Sequence, residues 1–314
     1  MSIPLSMALP SPQWRPTSLV IGPGGMRGYA IMGVLEILED NGKLLGVKHI
    51  IGCSVGTVIG YLKILGYTIK EIIDINFFDQ TTVREIINTT LSDPLTLFDN
   101  ILTKGGLIDM EILYKVIQRL THSKTGQDDI TFDQLYQLNK TTFTVVTYDK
   151  TNRQVRYMNH MFTPDRLVGR SIIMSCSVPG VFQQVIENGI VYIDGALGNP
   201  YPVDFVDNGV DQVLGIYIEE EDKTVSPKPG NILSNIMDIV SIPVLEHRRR
   251  IITQSSANVR HICIVCKSVV FLSDDSKRQE LFDRGRKTAE EFLLRLRHGL
   301  PVGTMLVTTP IIPE

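Results

Sequence analysis

Apolar runs of strand length alternate with amphipathic stretches through the first seventy residues. "SLVIG" (18–22) is continuous and apolar, which predicts a buried strand. In "MRGYAIMGVLEILED" (26–40), Ile31, Val34, Leu35 and Leu38 recur at i, i+3, i+4 and i+7, which predicts a helix. "VKHIIG" (47–52) repeats the strand pattern and "VGTVIGYLKILG" (55–66) the helical one. Strand, helix, strand, helix is the pattern of a parallel sheet with crossover helices. Residues 69–122 carry no convincing strand and read as a helical insertion, broken at Ser92-Asp93-Pro94 and Lys104-Gly105-Gly106. "TTFTVVTYDK" (141–150) and "RQVRYMN" (153–159) predict a hairpin, and "RLVGRSIIMSCS" (166–177) a helix. Strands follow at 189–194, 211–219 and 260–266. Residues 231–242 are amphipathic, and Asp274 to His298 form a last helix.

The expected organisation is one α/β domain over 17–300, with a flexible arm at 1–16 and a tail at 301–314. Among the 314 residues, 43% are apolar and 21% charged, enough for a large core. A net charge of −3 gives no basic footprint for nucleic acid. The four cysteines form no secreted disulfide framework, which points to a reducing, cytoplasmic setting. The N-terminus does not read as a signal peptide, and no run reaches the roughly 18 apolar residues of a membrane span. The chain is expected to be soluble, with work at a membrane surface still open to it.

Two glycine-bearing turns stand at predicted strand ends. In "GPGGMRG" (22–28), free N–H groups at a helix start favour an anion, either a phosphate or the oxyanion of a tetrahedral intermediate. The spacing of Gly22, Gly24 and Gly28 does not fit a dinucleotide fingerprint. The second turn, "GCSVG" (52–56), has the G-x-S-x-G form of a nucleophile elbow, with Gly52 and Gly56 leaving room beside Ser54. The plain alternative is a helix-capping serine. A serine hydroxyl needs a base. His49, His122, His160, His247, His261 and His298 all lie outside glycine-rich strand ends, whereas Asp194 follows a strand directly and precedes Gly195 and Ala196. An Asp-Gly turn is the plain alternative there.

The set resembles the patatin-like phospholipase family, whose pattern is a G-G-G-x-R-G oxyanion turn, a G-x-S-x-G elbow and an aspartate in D-G-G or D-G-A. Here these stand as Pro23-Gly24-Gly25-Met26-Arg27-Gly28, Gly52 to Gly56, and Asp194-Gly195-Ala196. "GGLIDMEILYKVIQRL" (105–120) is similar to the family's G-L-[FI]-D helix start. "SIIMSCSVPGVFQQV" (171–185) is similar to its A-S-x-x-x-P-x-x-F segment, and "DGALGNPYPV" to its D-G-[GA]-x-x-N-x-P continuation, with Asn199 and Pro202. The departure is Pro23, which has no N–H to donate. The resemblance covers roughly residues 17 to 220 and implies a three-layer fold, a mainly parallel sheet between helices.

It also implies a Ser54–Asp194 dyad without histidine, an oxyanion hole from the Gly24 and Gly25 N–H groups, and an acyl-lipid substrate in lipid catabolism. Gly22, Arg27, Gly28, Gly52, Gly56, Gly195 and Ala196 would support the site, with Arg27 either fixing the turn or meeting a lipid phosphate. No cofactor, metal or obligatory protein partner is implied; the partner is a membrane or micellar lipid. One rival is an α/β-hydrolase triad ending in a late histidine such as His261. A second is a catalytically silent lipid- or partner-binding protein with the same fold. Two stretches are candidates for a lipid surface: 72–103, with Phe77, Phe78, Leu97 and Phe98, and the apolar and basic 232–250, with Arg248, Arg249 and Arg250. An ordinary core-facing helix is the plain reading of the second. Cys263 and Cys266 read as buried strand residues, and Asp128-Asp129 as a solvated loop.

Overall fold

The computed structural model describes residues 14–75, 103–221, 232–267 and 275–298. The expectations for 1–13, for most of 72–103 and for the tail at 301–314 lie outside the described residues, as do the side chains of 232–240.

Eight strands form one mixed, mostly parallel sheet: β1 (Ser18–Ile21), β2 (His49–Cys53), β3 (Thr142–Asp149), β4 (Gln154–Met158), β5 (Val185–Glu187), β6 (Ile190–Asp194), β7 (Val213–Glu220) and β8 (Val259–Cys266). Their order is β5-β6-β3-β2-β1-β7-β8, with β4 beside β3. The central strands are buried on both faces, as parallel strands under crossover helices must be. Leu19 and Ile21 face one layer while Val20 faces the other. The first layer is the larger, built on α1 (Gly28–Asp40), α2 (Val55–Ile64), α3 (Ile69–Asp74), α4 (Glu111–Thr125), α5 (Phe132–Asn139), α6 (Val168–Ser175) and α8 (Asp275–Arg297). The second is built on α7 (Ile232–Gln254) and the segment 201–206.

From β1 the chain moves through β2 to β3 on one side, and later returns to β7 and β8 on the other. The order therefore reverses at β1, and crevices open beyond the carboxyl ends of strands at such a switch point. Both glycine turns sit there: residues 22–28 follow β1, and residues 52–56 carry the chain from the end of β2 into α2.

Several expectations change. The presumed arm is packed at its end: Trp14 is buried, meets Phe292 edge-on at 6.1 Å and lies under the Arg260 guanidinium. The 69–122 stretch is not wholly helical, because residues 104–108 lie along 180–184 with hydrogen bonds in both directions, including Gly180 N–H to Gly105 O (2.8 Å) and Gln183 N–H to Ile108 O (2.9 Å). The amphipathic segment from 231 continues past Pro243 to Gln254. Helix α5, absent from the pattern reading, starts on a capping box in which Thr131 and Gln134 satisfy each other's backbone N–H. Asp129 is not a solvated loop residue, since its carboxylate accepts from Tyr114 Oη (3.0 Å) and the N–H groups of Ile130 and Gly169.

Helices α1 and α8 cross where Gly33 and Gly285 let the backbones touch. A Cβ at Gly33 would sit 2.1 Å from Phe282 O, and one at Gly285 1.9 Å from Ala30 O. Gly285→Ala is therefore expected to push the helices apart and cost about 1–3 kcal/mol. In urea denaturation the midpoint should fall with the slope unchanged.

Candidate active site

Ser54 sits between β2 and α2 with φ +53° and ψ −128°, a left-handed backbone that a serine seldom adopts. Close packing enforces it. A Cβ at Gly52 would lie 2.6 Å from Thr57 N, and one at Gly56 2.3 Å from Ile21 O, so only glycine lets the turn fit against β1. Ser54 O accepts from both Thr57 N–H (2.8 Å) and Thr57 Oγ1 (2.6 Å), which closes the first turn of α2. Although Ser54 stands at the N-cap position, its side chain makes no capping bond. The hydroxyl faces a cleft instead.

The turn after β1 lies across the same cleft. Gly22 N–H is taken by Ile216 O (2.9 Å), which anchors the turn to β7. Gly25 has φ +53° and opens a short 3₁₀ turn over Gly25–Arg27 that runs into α1 at Gly28. Neither Gly24 N–H nor Gly25 N–H is used in a hydrogen bond among the described residues. Of the two roles open to Arg27, the geometry supplies the first: Nε donates to Gly24 O (3.4 Å) and Nη1 pairs with Glu220 (3.1 Å). Gly28 packs on Val55, so the two turns touch.

Asp194 reaches Ser54 through a change of partner on β3. β2 pairs with β3 as far as Cys53↔Val146; from the next residue on, Thr147↔Asp194, the antiparallel β6 occupies that edge. The carboxylate thus arrives where the elbow leaves the sheet. Gly195 permits this, since a Cβ there would lie 2.2 Å from Val146 O. Asp194 is 2% exposed. Its Oδ1 accepts from Ala196 N–H (2.8 Å), while Oδ2 is buried without a partner of standard hydrogen-bond geometry. Burial raises its pKa from 3.8 to about 6, against the opposing pull of the Ala196 N–H and the nearby Ser54 hydroxyl. Asn199 is structural: its amide donates to Tyr157 Oη and Asp204, and its oxygen accepts from Tyr201 N–H.

The cleft beside Ser54 is apolar. Met26, Tyr29 and Met32 of the first turn and α1 face Val58 and Ile59 of α2, with Ile72, Leu113, Val178 and Phe182 closing it. The pattern reading did not single out these cleft residues; helical periodicity shows an apolar face without showing which part of it stays uncovered. Among the described residues no cluster of three or more His, Cys, Asp or Glu could hold a metal ion.

Four of the histidines have partners away from Ser54. His49 Nε2 bonds Thr144 Oγ1 (2.8 Å), His122 pairs with Asp128, and His160 stacks on Tyr136. His261 Nδ1 bonds Tyr201 Oη (2.9 Å) on β8, three strands from β2 and so about 14 Å from the elbow. That separation puts His261 out of reach of Ser54. Of the three arginines at 248–250, Arg249 and Arg250 are exposed, but Arg248 is buried and donates to Ile218 O (2.8 Å) and Glu219 (2.5 Å), so it is not part of a basic surface. Cys266 is buried and Cys263 half-buried, on opposite faces of β8.

Residues 19–207 match the model of the patatin-like phospholipase family. The chain is 27% identical over 291 residues to an uncharacterized protein of Acanthamoeba polyphaga mimivirus, covering 89% of this chain and 94% of that protein. It is 28% identical over 188 residues to a probable lipid hydrolase of Invertebrate iridescent virus 6, covering 60% of this chain and 62% of that one. A triacylglycerol lipase of Schizosaccharomyces pombe is 22% identical over 59% of this chain, which spans 41% of the yeast protein. The crystal structure of VipD from Legionella pneumophila superposes with a TM-score of 0.54 at 14% identity, covering 92% of this chain and 67% of that one, a likeness of fold. The family match spans well over half of the chain, and its bounds enclose both glycine turns, Ser54 and Asp194: this chain belongs to the patatin-like phospholipase family.

Proposed function

We propose that the protein is a serine-dependent carboxylic ester hydrolase acting on phospholipid or lysophospholipid acyl esters, with Ser54 as nucleophile and Asp194 as base. One observation carries the reading: a left-handed Ser54 opens on an apolar cleft beside a buried carboxylate whose Oδ2 has no other partner. Ser54 Oγ attacks the ester carbonyl carbon as its proton passes to Asp194 Oδ2. The carbonyl oxygen becomes an oxyanion, stabilised by the N–H groups of Gly24 and Gly25. Pro23 does not impede this, because the donors follow it. Collapse of the intermediate expels the alcohol, which takes the proton from Asp194. Water then attacks the acyl-enzyme as its proton passes to Asp194; the Ser54 Oγ–acyl bond breaks, Asp194 returns the proton to Ser54 Oγ, and the fatty acid leaves.

The apolar cleft suits an acyl chain. The family and the lipid hydrolase and lipase names of two relatives support the ester-hydrolase class. Among the described residues no helix is long and apolar enough to cross a membrane.

Fatty-acid release from mixed phospholipid vesicles, without added calcium, tests the reading. Ser54→Ala and Asp194→Ala should each lose at least about a thousandfold in kcat, while His261→Ala should keep turnover within a few-fold. Release by either dyad variant at the wild-type rate would remove the mechanism. A wild type silent on vesicles and on soluble esters alike would favour the binding-protein rival.

The pH dependence has a definite sign. Asp194 must be ionised to act, so kcat/KM should fall below a pH of about 6. Its pKa is higher folded than unfolded, so the native state binds more protons between about 4 and 6. This group's contribution to stability therefore declines as pH rises through that window, to a cost of about 3 kcal/mol above it. Asp194→Asn should abolish turnover yet melt higher than wild type at pH 8, and that gain should vanish below pH 4.

A further inference from the structure

One short segment touches both Ser54 and Asp194. Ser54 N–H donates to Ser175 Oγ at 3.0 Å. The Ser175 hydroxyl donates in turn to Val146 O at 2.5 Å, at the residue where β2 parts from β3. Two residues further on, Ser177 O accepts Asp194 N–H at 2.9 Å. All the groups involved are buried.

Buried serines within or just past a helix ordinarily bond back to that helix, and two here do. Ser171 Oγ donates to Leu167 O (2.9 Å) and Ser177 Oγ to Ile173 O (2.7 Å). Ser175 instead leaves α6 and is spent on the backbone of the elbow. The left-handed turn at Ser54 points its N–H away from any sheet partner, and the Ser175 hydroxyl is the acceptor that satisfies it. Without that acceptor the N–H would be buried and unpaired, and the turn would relax toward ordinary φ, carrying Oγ off line.

We propose that residues 175–177 are a brace that sets the gap between Ser54 Oγ and Asp194 Oδ2, with Ser175 as the positioning residue. This rests on the reading of Ser54 and Asp194 as the reacting pair. It also gives a role to the "SCSVPG" stretch, which the sequence marked without explaining.

The test compares Ser175→Ala with Ser171→Ala, a buried serine of the same helix that touches neither residue. Each is assayed on p-nitrophenyl butyrate, for inactivation by a fluorophosphonate, and for its urea midpoint. Both variants should lose stability. Ser175→Ala should lose kcat by about ten- to a hundredfold with KM within threefold, and its inactivation rate should fall in parallel. Ser171→Ala should keep kcat within twofold. If Ser175→Ala does not fold, Ser175→Cys is read instead, a near-isosteric thiol that bonds only weakly; it should shift kcat the same way. Retention of kcat within threefold in the Ser175 variant, or an equal loss in Ser171→Ala, overturns the brace. Failure of the underlying reading has a different signature: hydrolysis by Ser54→Ala at the wild-type rate in the same series.

Discussion

The backbone of Ser54, at φ +53° and ψ −128°, is the constraint on which the rest of the site depends. A left-handed non-glycine residue costs on the order of 1–3 kcal/mol and persists only where its surroundings over-determine it. Those surroundings are specific. Gly56 seats the elbow on Ile21 of β1 and on Gly22 just beyond it, and Gly52 lets α2 fold back on β2. Ser54 O is held twice by Thr57, and Ser54 N–H by Ser175. The strain is offset by contacts from β1, α2, β3 and α6 together, so the elbow exists only when the sheet and the first helical layer are assembled.

Asp194 is a second point of tension, of electrostatic origin. Among the described residues no cation pairs with it, and burial favours its neutral form. The other buried carboxylate among the described residues, Asp149, is given donors and an arginine. It is held below its ordinary pKa by Asn152 and Arg156, despite burial acting the other way. Asp194 receives only the Ala196 N–H and the neighbouring serine hydroxyl. On the proposed mechanism this poverty of partners is functional, because a strongly stabilised carboxylate would be a poor base. A pKa near 6 leaves the group ionised at neutral pH yet far closer to the operating pH than an ordinary aspartate.

The sheet was legible where period and punctuation agreed. The run from "SLVIG" to "VGTVIGYLKILG" predicts β1, α1, β2 and α2, and the two glycine turns fall at the junctions. Other features were not legible, for physical reasons. The nearness of Asp194 to Ser54 depends on β3 exchanging β2 for β6 at one residue, which is a matter of register and leaves no local mark. Arg248 reads as a solvated charge beside Arg249 and Arg250, yet one side of α7 turns it onto Ile218 and Glu219. Helix α5 left a signal that was passed over, in Thr131 and Gln134 three residues apart. Ser175 is a common residue in a helix, and only its acceptor and donor partners on two other elements give it meaning.

The two faces of the sheet do different work. The Tyr201, Val203, Val213, Tyr217 and Ile251 cluster on the second face is buried, and polar groups beside it pair with one another: His261 with Tyr201, Arg248 with Glu219, Asn199 with Tyr157. The first face carries the larger core and, at its carboxyl edge, the cleft between α1 and α2. That asymmetry follows from where the chain reverses. Consecutive crossovers from β1 to β2 and from β2 to β3 place α1 and α2 side by side on one face, and the gap between their first turns is where Gly25 and Ser54 meet. A histidine could enter such a gap only from a third element with its ring free. His49 and His261, the two carried on strands, are both held well below their ordinary pKa by burial, within hydrogen bonds of their own. The carboxylate reaches the elbow because a strand end, unlike a helix face, delivers its side chain at the edge where β2 stops.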